Sequence, residues 1–332
     1  MTSTQRRTEE PGTTMTDTAK TVDRTRVARW LQEYGVYVAV VALVLFNIAF
    51  TANFLTVGNF RTQLIQAAPV LVVALGMALV IGTEGVDLSV GAVMALSAAI
   101  IPLYLGAGTL PAVAIALVAG LAAGTLNGVL VARIGIQPIV ATLALLVGGR
   151  GLALVLADGQ LVQLHDPDFL ALGTGEVLGI PVSVLIAAVL AVLMAAVVGK
   201  TAFGRRLVAI GGNRRASVLA GLPVNRVLIG VYAICGVLAA LAGVLSTARL
   251  GAGDPADAGL LMELSAITAV VVGGTPLTGG RVRILGTVMG VLLMQLVRAT
   301  LIKHNLPDST AQMIQAAIIV GAVYVARERS SR

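Results

Sequence analysis

The chain has 332 residues, of which 57% are hydrophobic and only 12% are charged, and its mean hydropathy is +0.95. Because a soluble domain carries roughly 25% charged residues, this composition excludes soluble globular and disordered classes and predicts a polytopic membrane protein. The net charge of +7 accompanies only 4% aromatic residues and no basic helix, so it does not indicate a nucleic-acid partner.

The chain begins with a polar, Thr-rich segment that has neither a secretory signal pattern nor a clear transit peptide pattern. We expect residues 1–30 to form a disordered cytoplasmic tail. Trp30, Tyr34 and Tyr37 then suit a membrane–water interface, where amphipathic rings accumulate.

Ten apolar segments follow this tail, and a membrane-spanning helix needs about 20 such residues. The segments are 36–52, 64–82, 88–105, 109–132, 136–157, 177–198, 227–248, 264–274, 284–302 and 311–326. They predict an all-α polytopic membrane bundle of about ten transmembrane helices, with one transmembrane domain over 31–326 and a short tail over 327–332. The eighth segment is too short to span as one straight helix, so we expect it to tilt, break or extend.

The basic residues predict the orientation of the bundle. If the N-terminus is cytoplasmic, 18 of the 23 Lys and Arg residues lie on the inner side and three on the outer side. The outer loop 158–176 has four acidic residues and no basic one, whereas the inner loop 199–226 has six basic residues and no acidic one. We therefore expect both termini to be cytoplasmic.

The sequence lacks catalytic and metal-binding patterns. Gly199-Lys200-Thr201 resembles the end of a phosphate-binding loop, but Met194 stands where that motif needs glycine. The only histidines, His165 and His304, lie in predicted outer loops, and the single cysteine, Cys235, excludes a disulfide framework. We expect no catalytic residue and no metal site, which makes an intramembrane enzyme a weak hypothesis.

A Gly-rich segment, 82–91, lies between the second and third apolar segments and contains Glu84, Asp87 and Ser89. Carboxylates inside a bilayer are costly and need partners or a water-filled cavity, and glycines permit a helix break of the kind that transporters use at solute pathways. Alternatively, Asp87 or Ser89 caps the helix that starts near Leu88. The two interpretations are compatible.

A second Gly-rich segment, 271–289, loosely echoes the first and includes Thr275 and Pro276. An internal duplication would explain the echo, although chance would also do so at this glycine content. Its Pro and Gly residues predict that the eighth apolar segment is interrupted.

Two features lie within predicted spans. Gly120, Gly124 and Gly128 form a small-residue stripe that allows close helix packing, within one subunit or across a dimer. Arg150, flanked by glycines, is either a functional intramembrane charge or a residue near the outer interface if those glycines end the helix.

The basic inner loop contains a predicted short helix over 213–222. Asn213 is a suitable N-cap, Ala216 and Ala220 form a small face, and Gly221 ends the helix. This helix would fit a groove on a cytosolic partner, but taken alone the basic residues are explained by a positive-inside loop without a partner.

These motifs resemble those of the ribose-type permeases of bacterial ATP-binding cassette importers, which are related to branched-chain amino-acid permeases. The resemblance runs from about residue 36 to 326. Its first motif is Gly85-Val86-Asp87-Leu88-Ser89-Val90-Gly91, and the next stretch comprises Asn127-Gly128, Gly135-Ile136-Gln137-Pro138, Ala141-Thr142-Leu143 and Arg150-Gly151. The cytoplasmic coupling segment resembles Ala209-Ile210-Gly211-Gly212-Asn213, followed by Ala216 and Ala220-Gly221-Leu222. The C-terminal signature comprises Glu263-Leu264, Ala266-Ile267, Val272-Gly273-Gly274-Thr275, Gly279-Gly280 and Gly286-Thr287. Two residues depart from the family pattern: Glu84 stands where the family usually has Gly, and Ser217 stands where it usually has Ala.

The resemblance implies a permease of the bacterial inner membrane that imports a sugar and hydrolyses no ATP itself. A cytosolic ATPase, often with two fused cassettes, would bind ATP and magnesium, an extracytoplasmic binding protein would deliver the sugar, and a second permease copy or a paralogue would complete the pathway. The implied coupling helix comprises Asn213, Arg214, Arg215, Ala216, Ser217, Ala220 and Gly221, and the pathway or gate candidates are Glu84, Asp87, Ser89, Arg150 and Thr275.

An ion-coupled secondary transporter of a small polar solute is the alternative. Glu84, Asp87 and Arg150 would then carry ions or balance charge. The sequence does not name the solute in either case.

Overall fold

The computed structural model describes residues 34–327 as a helical bundle with thirteen α-helices and two pairs of very short antiparallel strands. The helices are α1 (Tyr34–Phe50), α2 (Val57–Gly82), α3 (Val90–Tyr104), α4 (Thr109–Val129), α5 (Pro138–Leu156), α6 (Pro167–Thr174), α7 (Val182–Lys200), α8 (Ala202–Gly212), α9 (Arg214–Leu219), α10 (Val224–Leu250), α11 (Met262–Val272), α12 (Ile284–Lys303) and α13 (Asp308–Arg327). The strands β1 (Val162–Gln163) and β4 (Ala252–Gly253) pair with each other, as do β2 (Glu176–Val177) and β3 (Ile180–Pro181).

Seven helices in this part of the chain are long and apolar enough to cross a membrane, namely α2, α3 with its following 3-10 turn, α4, α5, α7, α10 and α12. Each coincides with a predicted apolar segment, which confirms a polytopic membrane bundle. The three other predicted segments correspond to α1, α11 and α13. The predicted tail 1–30 with Trp30, and all but the first residue of the tail 327–332, lie outside the described residues.

Three helices form the centre of the bundle. Within the most apolar stretch of each helix, 72% is buried in α2 and 67% in both α3 and α10. The buried share is only 22% in α5 and 17% in α7. The outer helices therefore expose apolar side chains, such as Val147 and Val192, that suit contact with lipid tails.

The predicted glycine stripe lies on the face of α4 that packs against α10. A Cβ at Gly124 would overlap the carbonyl oxygen of Tyr232, and a Cβ at Gly128 would lie 2.7 Å from the Cα of Ile229. Because these positions carry no side chain, the two backbones approach each other directly, as at small-residue interfaces of membrane helices.

Two non-helical segments interrupt the bundle where the sequence is rich in glycine. The first break, 83–89, separates α2 from α3, and the second break, 273–283, separates α11 from α12. The 11 residues of α11 extend for about 16 Å, too short for a hydrocarbon core of about 30 Å. The eighth segment is one short, continuous helix that ends at Val272, and the break follows it rather than dividing it.

The structure corrects several predicted boundaries. Residues 177–181 do not begin a span, because Leu178 and Gly179 adopt positive φ values of 54° and 79° and form the turn between β2 and β3. Helix α2 starts at Val57, seven residues before the predicted segment, because Thr56 caps it by accepting a hydrogen bond from the backbone N–H of Asn59. Helix α8 was not predicted.

Candidate functional site

The two breaks and the end of α8 meet at four glycines, Gly82, Gly211, Gly279 and Gly280, which we call the glycine junction. The backbone N–H of Gly280 donates to the carbonyl oxygen of Gly82 at 3.1 Å. A Cβ at Gly211 would overlap that same oxygen and lie 2.7 Å from the nitrogen of Gly280, and a Cβ at Gly279 would lie 2.8 Å from the carbonyl oxygen of Gly211. Three backbones therefore touch here with no side chain between them.

Glu84 lies beside this junction in a backbone conformation that favours glycine. Its φ is +65°, its side chain is exposed, and its backbone nitrogen would lie 2.8 Å from a Cβ at Gly279. A residue with a Cβ is strained in this left-handed region, which gives a physical reason for glycine as the usual residue here.

Asp87 and Ser89 form a buried hydrogen-bond network with Asn127 of α4. One carboxylate oxygen of Asp87 accepts from the Ser89 hydroxyl at 2.6 Å and from the Ser89 backbone N–H at 3.0 Å, and the Asn127 amide donates to the Ser89 hydroxyl at 2.9 Å. Burial raises the pKa of the Asp87 carboxyl, and the Ser89 hydrogen bonds act in the opposite direction. The network fixes the first break against α4.

The structure does not show simple capping by the Ser89 side chain. Helix α3 starts at Val90, Ser89 occupies the N-cap position, and its side chain makes no capping hydrogen bond. The Asp87 carboxylate instead closes a local turn onto Ser89 immediately before α3, a side-chain geometry that offers the backbone an alternative to helix.

Sequence reasoning missed two residues that approach this network from α10. The buried Cys235 is close enough to the Asp87 carboxyl to interact with it. The buried Tyr232 hydroxyl has no partner among the described residues, and a Cβ at Gly85 would lie 2.7 Å from it. Nothing in the local sequence signals these contacts, since α10 lies more than 130 residues from the first break.

Thr275 stabilises the second break. It is completely buried, and its hydroxyl accepts from the backbone N–H of Arg283 at 3.0 Å. This hydrogen bond joins the two sides of the 273–283 segment, so Thr275 supports the break as Asp87 supports the first one.

Arg150 lies apart from the other pathway candidates, near the opposite end of α10. Its guanidinium donates to the carbonyl oxygen of Ala256 at 2.9 Å and to that of Ala258 at 3.3 Å. The flanking glycines do not end the helix, because α5 continues to Leu156. Arg150 therefore fixes the loop after α10.

Helices α8 and α9 form one segment, in which α8 carries Gly211 of the glycine junction and α9 follows directly after it. Thr201 caps α8 by accepting from the Gly204 N–H at 3.2 Å, and Leu207 and Ile210 bury one face of α8. The i, i+3 spacing of that apolar pair behind a Thr cap is the signal that would have predicted α8.

Helix α9 is shorter than the predicted 213–222 but has the predicted cap, with Asn213 accepting from the Ala216 N–H at 2.9 Å. Ser217 faces inward and is buried, whereas Leu219 is 85% exposed and Arg214 and Arg215 are also exposed. The segment thus presents an apolar residue and two cations at its surface.

The chain is similar to known permeases over most of its length. A family described as branched-chain amino acid transport system / permease component matches residues 59–323. The chain is 41% identical to the galactofuranose transporter permease of Escherichia coli over 266 residues, 80% of this chain and 78% of that protein. It is 37% identical to the ribose import permease of Escherichia coli over 302 residues, 89% of this chain and 94% of that protein. It is also 37% identical to the fructose import permease of Bifidobacterium longum over 270 residues, 79% of this chain and 76% of that protein. No solved structure matches the chain.

Proposed function

The chain belongs to the family of branched-chain amino acid transport system permease components, and we propose that it forms the membrane pathway of an ATP-binding cassette importer for a sugar. The observation that carries this proposal is the 37% identity that extends over 94% of a ribose import permease. Similar proteins named for galactofuranose and fructose support a sugar as the solute class. As a permease component the chain is not itself the ATPase.

The proposal assigns energy and solute choice to partner subunits. A cytosolic ATPase, with two fused cassettes, binds ATP and magnesium, and an extracytoplasmic binding protein delivers the sugar. A second permease, either a copy of this chain or a paralogue, completes the pathway. The chain is a multi-pass protein of the bacterial plasma membrane, with ten membrane segments and both termini in the cytoplasm.

We assign the coupling role to α9. The exposed Leu219 with its neighbours Arg214 and Arg215 supports docking into a groove of the ATPase, because an apolar side chain this exposed at a helix end gains stability when a partner covers it. Movement of α9 passes to α8 and reaches both breaks through the glycine junction. Backbones in direct contact transmit such a displacement, because no flexible side chain lies between them to absorb it.

A reconstituted complex tests this function. The chain is coexpressed with its ATPase, purified in detergent and assayed for ATP hydrolysis with the binding protein, empty or loaded with D-ribose, D-fructose, L-arabinose or D-galactose. We expect at least one loaded form to stimulate hydrolysis above the empty form. A chain that purifies without any ATPase, or hydrolysis that no loaded binding protein changes, would contradict the proposal.

A further inference from the structure

A cavity of about 320 Å³ lies among α2, α11, α12 and α13, at the opposite end of α12 from the second break. Its polar lining comes from Ser265, Gln295, Arg298 and Gln312, and its apolar lining includes Leu264 and Met294. We call it the amide cavity. Its volume falls at the lower end of the range for small-molecule sites.

Gln295 is a costly residue for a membrane-spanning helix, and its environment orients its amide. It is 8% exposed, and its amide nitrogen donates to the side-chain oxygens of Gln63 at 2.8 Å and Gln66 at 2.9 Å. Three glutamines from α2 and α12 therefore form a polar cluster at the wall of the cavity. Polar side chains in membrane helices either join neighbouring helices, as these hydrogen bonds do, or line a solute pathway, and Gln295 also borders the cavity.

The lining chemistry selects one class of ligand. The Gln295 amide nitrogen is taken by Gln63 and Gln66, so its oxygen is the atom that can accept from a ligand, whereas the Gln312 amide can both donate and accept. Together the two side chains match the paired donor and acceptor character of hydroxyl groups. Among the described residues that line the cavity there is no carboxylate and no aromatic ring. The cavity lining therefore does not favour a cation. A sugar would find no aromatic ring to stack on, and the weak binding that results suits a solute that must also leave the site.

The walls of the amide cavity are connected to the glycine junction. Helices α11 and α12 flank the second break and pack closely beside it, since a Cβ at Gly290 would overlap the carbonyl oxygen of Ala269. A displacement of the second break therefore changes the separation of α11 and α12, and with it the cavity between them.

We propose that the amide cavity holds a neutral polyhydroxylated solute in transit, recognised by the side chains of Gln295 and Gln312. This inference rests on the proposed sugar importer and adds the site at which the chain itself contacts the sugar. The binding protein remains the main determinant of selectivity.

The test uses the full complex in proteoliposomes and whichever of radiolabelled D-ribose, D-fructose, L-arabinose or D-galactose the wild type imports. The variants are Gln295→Leu and Gln312→Leu, and Gln160→Leu in an exposed loop is the matched control. We expect uptake to fall about tenfold in the cavity variants, the cost of one lost hydrogen bond in transit, with unchanged uptake in the control. ATP hydrolysis stimulated by the loaded binding protein should stay within about twofold of wild type, because docking and coupling are not altered.

The outcomes separate the two proposals. Equal uptake by wild type and both cavity variants, or a parallel loss of uptake and stimulated hydrolysis, would overturn the cavity assignment. Gln312→Leu keeps the measurement informative if Gln295→Leu fails to fold, since Gln312 is exposed. Failure of the wild type to import any of the four sugars would instead contradict the proposed function.

Discussion

The backbone N–H of Gly280 donates to the carbonyl oxygen of Gly82 at 3.1 Å, although almost 200 residues separate them. This hydrogen bond joins the two Gly-rich breaks. Gly211, at the end of α8, packs against both Gly82 and Gly280. The segment that we assign to the ATPase and the two interruptions of the bundle therefore share one contact.

Gly211→Ala tests whether this contact couples the subunits. The added methyl group would overlap the carbonyl oxygen of Gly82, so α8 must separate from the breaks. We expect sugar uptake in proteoliposomes to fall about tenfold, within the range of typical coupling free energies. ATP hydrolysis should no longer respond to the loaded binding protein.

Gly212→Ala is the matched control, because a Cβ there would meet its nearest atom at 4.0 Å, an ordinary contact. We expect near wild-type uptake from it. If both alanine variants transport normally, the glycine junction does not transmit motion.

Glu84→Gly should stabilise the protein, because glycine adopts a φ of +65° without the steric cost that a Cβ imposes. We expect relief of this strain to raise the free energy of unfolding by about 0.5–1 kcal/mol. The extra conformational entropy that glycine gives the unfolded chain reduces this gain. Thermal unfolding of the purified protein in detergent measures it. Glu84→Ala separates backbone strain from charge: an equal gain in that variant would show that the carboxylate, not the backbone, is responsible.

Asp87→Ala should destabilise the protein by about 3 kcal/mol, because Ser89 would lose the acceptor for both its hydroxyl and its backbone N–H in a buried site. Asp87→Asn keeps an acceptor oxygen and should cost about 1 kcal/mol. Chemical denaturation in mixed micelles compares the two variants. Full stability of Asp87→Ala together with loss of uptake would assign Asp87 to the pathway rather than to support of the first break.

Leu219→Asp should prevent docking of the ATPase without disturbing the fold, because Leu219 is 85% exposed and an aspartate would meet the apolar groove that we expect on the partner. Copurification of the ATPase with the tagged permease is the measurement. Leu178→Asp is the control, since Leu178 is 98% exposed in the β2–β3 turn, far along the chain from α9. Retention of the ATPase by Leu219→Asp would contradict the assignment of α9.

The sequence predicted those features that depend on local composition. Apolar length predicted the membrane helices, glycine and proline content predicted the second break, and the four-residue spacing of Gly120, Gly124 and Gly128 predicted a face for close packing. The β2–β3 turn was missed because the residues around Leu178 are as apolar as the helix that follows them.

Contacts between distant residues could not be predicted from the sequence. Tyr232 and Cys235 reach the Asp87 network only because α10 packs between α2, α3 and α4, and no pattern in α10 indicates it. The polar cluster of Gln63, Gln66 and Gln295 likewise forms by folding of the chain across more than 220 residues. Such relationships depend on tertiary packing rather than on propensity or period.

Uptake driven by ATP alone tests the central claim most directly. The permease, its ATPase and the sugar-loaded binding protein are reconstituted in sealed proteoliposomes with ATP accessible to the cytoplasmic side, and all ion gradients are collapsed by ionophores. We expect sugar accumulation that requires ATP hydrolysis and continues without any ion gradient. Accumulation that stops when the gradients collapse while ATP is held constant would contradict it and favour an ion-coupled transporter.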